Sequence, residues 1–460
     1  MNVRRSDPDP GVITTTGIAD AHPPQRSTID DLPLTSFHRR LTLYSAGGPF
    51  LDGFVLGIIG VALTQITPAW NLSGAWQGLL AASALIGLFV GGLAGGYITD
   101  RIGRTVMYTL DLLLVAICSV AQFWAEGPVA LLIIRFVLGI AIGADYPIAT
   151  SLLAEFAPRR KRGSLLGWLT AMWAAGNAAA YLVGEALTHL GPDAWRWMLA
   201  SPALPAILLV LARWGTPESP RWLASKGRID EAKAALQKVF GPDAELEDLP
   251  TQTVPTRIST LVTGPYLLRS IFIAIFWTCS ILPIYAIYAF GPAMLTAFGL
   301  NDPGQGNIGE ASIGMLFFVG CVLATLVANK VGRRRLLIVP FAVATVALFG
   351  LGFFPTAPIP VIAGLFALYA IAIGGPTIMQ WIYPNELFPT EVRATAVGVG
   401  TSISRIGAAL GTFLTPIILN QAGIGTTMII AAVISAIGVV TSIFLAPETK
   451  DQSLIQAGGR

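Results

Sequence analysis

Helix-length apolar stretches recur about twelve times along these 460 residues, each long enough (roughly 17–25 residues) to cross a lipid bilayer. They fall near 43–66, 76–98, 106–125, 129–152, 163–188, 196–215, 268–296, 308–329, 335–354, 358–384, 393–420 and 424–446. A chain built this way must satisfy its backbone inside the membrane, and its periodicity is helical, without the alternating ten-residue segments of a β-barrel. The expected fold class is all-α and integral to the membrane. Charge agrees: only 12% of residues are charged, about half the soluble norm, and mean hydropathy is +0.67. The net charge of +3 is no nucleic-acid signature, because the positive residues are sorted by membrane side. Connections after even spans carry Arg101, Arg104, Arg159, Arg160, Lys161, Arg162, Lys330, Arg333, Arg334, Arg335 and Arg393. Those after odd spans carry almost none, which places both termini in the cytoplasm of a cell with a multi-pass plasma (inner) membrane protein.

Residues 1–40 are polar and proline-containing, and read as a disordered cytoplasmic tail rather than a cleaved leader. Cys118, Cys279 and Cys321 fall inside spans, as packing residues rather than disulfide or metal ligands. No nucleophile motif, phosphate loop or metal cluster supports an enzyme.

The chain repeats itself. "GGYITDRIGR" closes span 2 and "ATLVANKVGRRR" span 8, with Asp100 and Asn329 229 residues apart. "EFAPRRKRG" follows span 4 and "ELFPTEVRA" span 10, with Glu155 and Glu386 231 apart. "PESPRW" follows span 6 and "PETK" span 12, with Glu218 and Glu448 230 apart. Three landmarks at one offset divide the chain into six-helix halves, 41–215 and 268–446, a linker at 216–267 bearing short amphipathic helices, and a tail at 447–460. Such a repeat puts a transport site where the halves meet, near mid-membrane.

These segments resemble the major facilitator superfamily. "GGYITDRIGR" is similar to its G-x-x-x-D-R-x-G-R loop, and "PESPRWLASKGR", "WIYPNELFPTEVR" and "PETK" to motifs of its sugar porters and metabolite–proton symporters. The resemblance spans nearly all of 40–450 and implies twelve helices in two pseudo-symmetric halves working by alternating access. It implies no cofactor beyond a proton gradient, and a monomer that meets small-molecule substrate, protons and lipid. Gly96, Asp100, Arg101, Gly103, Arg104, Glu155, Arg162, Glu218, Arg221, Arg333, Glu386, Arg393 and Glu448 are the expected gating residues. Asp100 is expected to accept from the amides of a neighbouring helix, and the Glu–Arg pairs to break when the halves rock open.

Ionisable groups at membrane depth mark function. Asp52, Asp145 and Arg405 each lie roughly 15–18 Å along their helices at about 1.5 Å per residue, and Arg135 lies beyond them within reach of Asp52. No histidine is mid-span, so a proton carrier here is a carboxylate. In the sugar porters an aspartate of span 1 and an arginine of span 4 couple the proton; the resemblance gives those roles to Asp52 and Arg135. Other residues depart from sugar porters. "GADYP" around Asp145 looks like the span-4 segment of phosphate–proton symporters, Arg405-Ile-Gly resembles organic-anion and aromatic-acid transporters, and the span-7 Gln-Gln pair is missing. Arg405 is expected to hold an acid group of the substrate, with Asp145 as its counter-ion in the empty site. Trp173, Asn177, Trp277, Tyr285, Tyr288, Gln380 and Trp381 are the expected pocket lining, Trp381 matching the span-10 tryptophan of sugar porters. The expectation is proton-coupled symport of an organic or sugar acid, with a neutral sugar as the alternative and a proton-driven exporter as a weaker one.

Overall fold

The computed structural model describes residues 36–156, 159–242, 264, 266–299, 303–388 and 390–449. The tail expected at 1–40 lies outside it up to residue 35, and so do 450–460 and most of the linker's second part. Among the described residues there are fourteen α-helices and no strand. The first half holds α1 (Ser36–Trp70), α2 (Gly74–Ile102), α3 (Arg104–Ala121), α4 (Pro128–Phe156), α5 (Arg159–Thr188), α6 (Ala194–Ala200) and α7 (Ala203–Arg213). Two short helices follow, α8 (Pro220–Ser225) and α9 (Ile229–Phe240). The second half holds α10 (Tyr266–Ala297), α11 (Pro303–Val331), α12 (Arg333–Phe353), α13 (Ile359–Leu387) and α14 (Thr390–Leu445).

Twelve membrane crossings result. Span 6 is two helices in sequence, because Pro202 cannot donate into the turn that would join α6 to α7. Spans 11 and 12 run together as α14, interrupted at Gly423, whose φ of 77° only glycine adopts freely. α5 is less apolar than the other crossings, because it opens on Arg159, Arg160, Lys161 and Arg162 and carries Asn177 and Glu185. Its crossing is fixed by packing, since it lies against α1 in its own half and α11 in the other. With an even number of crossings, the start of α1 and the end of α14 share one face, here the terminal face; the opposite one is the far face.

Small residues set how closely the helices approach. A side chain at Gly53 would overlap the Trp173 carbonyl, and one at Gly176 the Phe50 carbonyl, so α1 and α5 touch backbone to backbone. "GLFVGGLAGG" does the same for α2, which presses Gly87 and Gly91 against α4. The halves meet along α5–α11 and α2–α14, and a single apolar core runs through both.

Candidate functional site: a polar centre between the halves

The α1–α5 contact forces Asp52 to face Trp173. Asp52 is fully buried, and its Oδ2 accepts from the Trp173 indole N–H at 2.9 Å. Trp173 then reaches across to the second half, its ring 5.3 Å from Tyr285, 5.8 Å from Tyr288 and 6.3 Å from Phe317. The Tyr285 hydroxyl accepts from Arg405 Nη1, and the guanidinium lies 5.3 Å from the same ring. A continuous run, Asp52–Trp173–Tyr285–Arg405, therefore joins α1, α5, α10 and α14 through the plane between the halves. Asn177, one turn beyond Trp173, packs its amide beside Gly57, and neither amide atom has a hydrogen-bond partner among the described residues. Deeper in the second half, the Trp277 and Trp381 rings stand edge to face at 5.6 Å, and Gln380 donates to the Ser280 hydroxyl at 2.7 Å.

Two expected pairings are corrected. Asp145 does not neutralise Arg405; its Oδ1 accepts from Arg213 Nη1 at 2.8 Å, in a buried ion pair inside the first half. Arg135 does not reach Asp52. Its Nε donates to the Leu80 carbonyl of α2 at 3.1 Å, because the glycine contacts of α4 with α2 turn that face of α4 away from α1. Depth along a helix was readable; rotation about its axis was not. Arg213, Asp111 and Glu310 escaped the sequence reading. Asp111 and Glu310 carried the same signal as the others, an acid within or at the edge of an apolar span, and both are buried.

The gate residues organise the terminal face. Gly103, at φ 112°, separates α2 from α3 and leaves the α3 N-terminus open. Glu218 fills it, accepting from the amides of Arg104 at 3.1 Å and Thr105 at 3.0 Å. The second half repeats this. Gly332, at φ 95°, precedes α12, and Glu448 accepts from the amides of Arg333 at 2.9 Å and Arg334 at 3.3 Å. A Cβ at Gly103 would stand 2.8 Å from Glu218, and one at Gly332 2.7 Å from Glu448. Among the described residues the amide-accepting acids are Glu218 and Glu448; the side chain of Asp100, expected in that role, lies outside them. Glu386 pairs with Arg333 at 3.0 Å and also accepts from Thr449. All of these contacts lie within one half. Arg101 is exposed at the end of α2, and Gly96, Asp100, Glu155, Arg162, Arg221 and Arg393 have side chains outside the described residues.

Among the described residues the hydrogen bonds between halves lie toward the far face, while Gly167 of α5 approaches Thr325 of α11 nearer the terminal face. Tyr181 donates to the Tyr288 carbonyl, and Asn307 donates to Glu185 at 2.7 Å. Gly78 meets the Phe413 carbonyl, and Gly60 packs against Ala289.

Comparison with known proteins gives this geometry a context. The family profile described as "Sugar (and other) transporter" matches residues 41–458. YaaU of Escherichia coli (strain K12) is 46% identical over 428 residues, covering 93% of this chain and 96% of that protein. The inner membrane metabolite transport protein YgcS of the same organism is 38% identical over 430 residues, covering 94% and 96%. Among solved structures, the xylose transporter XylE from E. coli, in a partially occluded inward-open conformation, superposes with a TM-score of 0.76 at 23% identity, covering 90% of this chain and 100% of that one. That likeness concerns the fold.

Proposed function

From a chain that belongs to the sugar (and other) transporter family, a group of membrane carriers and not enzymes, we infer proton-coupled uptake of a small polar metabolite, with an organic or sugar acid as the substrate class. The observation that carries this reading is the run Asp52–Trp173–Tyr285–Arg405 between the halves. Arg405 is permanently charged and presents a fork that suits a carboxylate. Asp145, the counter-ion expected for it, is committed to Arg213, so the reading rests on the charge and fork of the guanidinium beside Tyr285 and not on that pair. Asp52 at the other end is the proton carrier, and Trp173 links the two. Arg135, which the resemblance paired with Asp52, is a positioning residue between α4 and α2. Trp277, Tyr288, Gln380, Trp381 and Asn177 complete the lining.

The terminal face, which carries the clustered arginines and lysines, is the cytoplasmic one. Alternating access then opens and closes the far-face contacts of Tyr181, Glu185 and Asn307 while the Glu218 and Glu448 caps keep each half rigid. A second reading, a neutral sugar or polyol, is favoured by the buried Asn177 amide, which has a donor and an acceptor to offer hydroxyls. It also fits relatives such as the arabinose–proton symporter of Bacillus subtilis, 29% identical.

Arg405→Lys separates the two. Losing a charge-assisted hydrogen bond costs about 1.5–3 kcal/mol, or roughly ten- to a hundredfold in affinity. Purified protein is screened by thermal shift against carboxylates and neutral sugars, and the hit is repeated on the variant. An acid whose stabilising effect collapses in Arg405→Lys supports the anion site. A neutral sugar that stabilises both proteins equally returns the centre to sugars.

A further inference from the structure

A second group of ionisable side chains lies outside the centre between the halves, where α1, α3, α4 and α7 meet in the terminal half of the first bundle. Arg213, in the last turn of α7, is buried against the Tyr108 ring at 3.4 Å. Its donors go to the Tyr44 carbonyl at 3.1 Å, the Tyr108 carbonyl at 3.0 Å and Asp145 Oδ1 at 2.8 Å. Asp111, on α3, is equally buried. Its Oδ1 accepts from the Leu112 amide at 2.6 Å. The Asp111 and Asp145 carboxylates line one small cavity, and Oδ2 of each has no donor among the described residues. That cavity, of about 10 Å³, is lined also by Gly48, Leu51, Val115 and Ile142. A side chain at Gly48 would collide with the Asp145 carboxylate, so α1 is shaped to admit it.

Two carboxylates share one guanidinium here, which leaves an excess negative charge in a buried site. Among the described residues neither Oδ2 has a donor, and a water in the cavity would supply one without removing the charge. A single proton answers both: it supplies the missing donor and brings the cluster to neutrality. The cavity has room for about one water, so nothing larger fits. The groups that face the pair are Tyr108 from α3, Arg213 from α7, and from α1 the Tyr44 carbonyl and Gly48. Asp52 lies one turn further along α1 and is engaged by Trp173.

We propose that Asp111 and Asp145 form a proton-binding site, holding one proton between them, separate from Asp52 and remote from the substrate. The proposal stands whatever the carrier transports. Its position ties it to the terminal-face cap. The Arg213 carbonyl accepts from the Thr216 amide at 3.0 Å and hydroxyl at 2.7 Å, two residues before Glu218 closes the α3 N-terminus. A proton lost from the pair is felt first by Arg213 and then along that short covalent run.

The test needs no substrate. Full-length protein in liposomes is examined by infrared spectroscopy for the absorption of protonated carboxyl groups, at acid and alkaline pH. Wild-type protein is expected to show a component that shifts on carboxyl-¹³C aspartate labelling and disappears as pH rises. Asp111→Asn, whose amide can donate to Asp145 in place of the proton, keeps the fold and loses that component. Asp145→Asn also loses it. Asp52→Asn retains it, and Glu310→Gln, which removes another buried carboxyl with no hydrogen-bond partner among the described residues, alters a different one. No aspartate component in the wild type, its persistence in Asp111→Asn, or its disappearance in Asp52→Asn would overturn the proposal. Displacement of the component by sodium at constant pH would overturn it too, by making the ligand a metal cation.

Discussion

Asp52 shows how little of a charged side chain's role follows from its depth. Its Oδ2 is engaged by the Trp173 indole, so any change in its protonation acts directly on the residue that touches Tyr285 in the other half. Asp52→Asn keeps an acceptor for the indole but cannot bind or release a proton. It is expected to abolish uphill uptake driven by a proton gradient and to spare exchange of substrate across vesicles with no gradient. Full accumulation by the variant would remove Asp52 from coupling. The sequence made Asp52, Asp145 and Arg405 legible as intramembrane charges because hydropathy reports depth. It left their partners open because partners depend on helix rotation. Arg213 was further hidden by its place in the last turn of a span, where a basic residue ordinarily reaches water.

At the scale of one helix, α10 bends where Phe290 leaves helical geometry at φ −125°, just before Gly291 and Pro292. Pro292 has no N–H for the Tyr288 carbonyl four residues back and pushes it out of line. That carbonyl is then free to accept from Tyr181 of the other half, so a helix break becomes a junction between halves. Tyr181→Phe leaves the buried carbonyl without a donor, a cost of about 1–3 kcal/mol. A lowered melting temperature is expected. Pro292→Ala restores an amide to the same carbonyl, so the Tyr181→Phe penalty should shrink in that background; equal penalties in both would break the link. Prolines in spans are visible in any sequence, but which freed carbonyl finds a donor, and from which helix, is decided by packing.

For the whole molecule, the offset of 229–230 residues between "TDRIGR" and "NKVGRRR" and between "PESPRW" and "PETK" was readable, and it reappears as two matched caps on one face. Closure between halves was not readable, since it depends on small residues on two distant helices. A Cβ on Gly314 of α11 would stand 3.1 Å from that of Ala178 of α5, slightly inside the usual spacing of a disulfide. Ala178→Cys with Gly314→Cys is expected to cross-link on oxidation and stop transport, with recovery on reduction. Unchanged transport by the oxidised protein would mean that α5 and α11 need not part. The caps carry a different consequence. Each draws its glutamate from the end of its own bundle, Glu218 before any residue of the connecting segment 243–263 and Glu448 after it. A chain severed in that segment keeps both clasps whole. Made as two polypeptides in one cell, the pieces are therefore expected to find each other and import substrate, as if a gene once doubled were divided again.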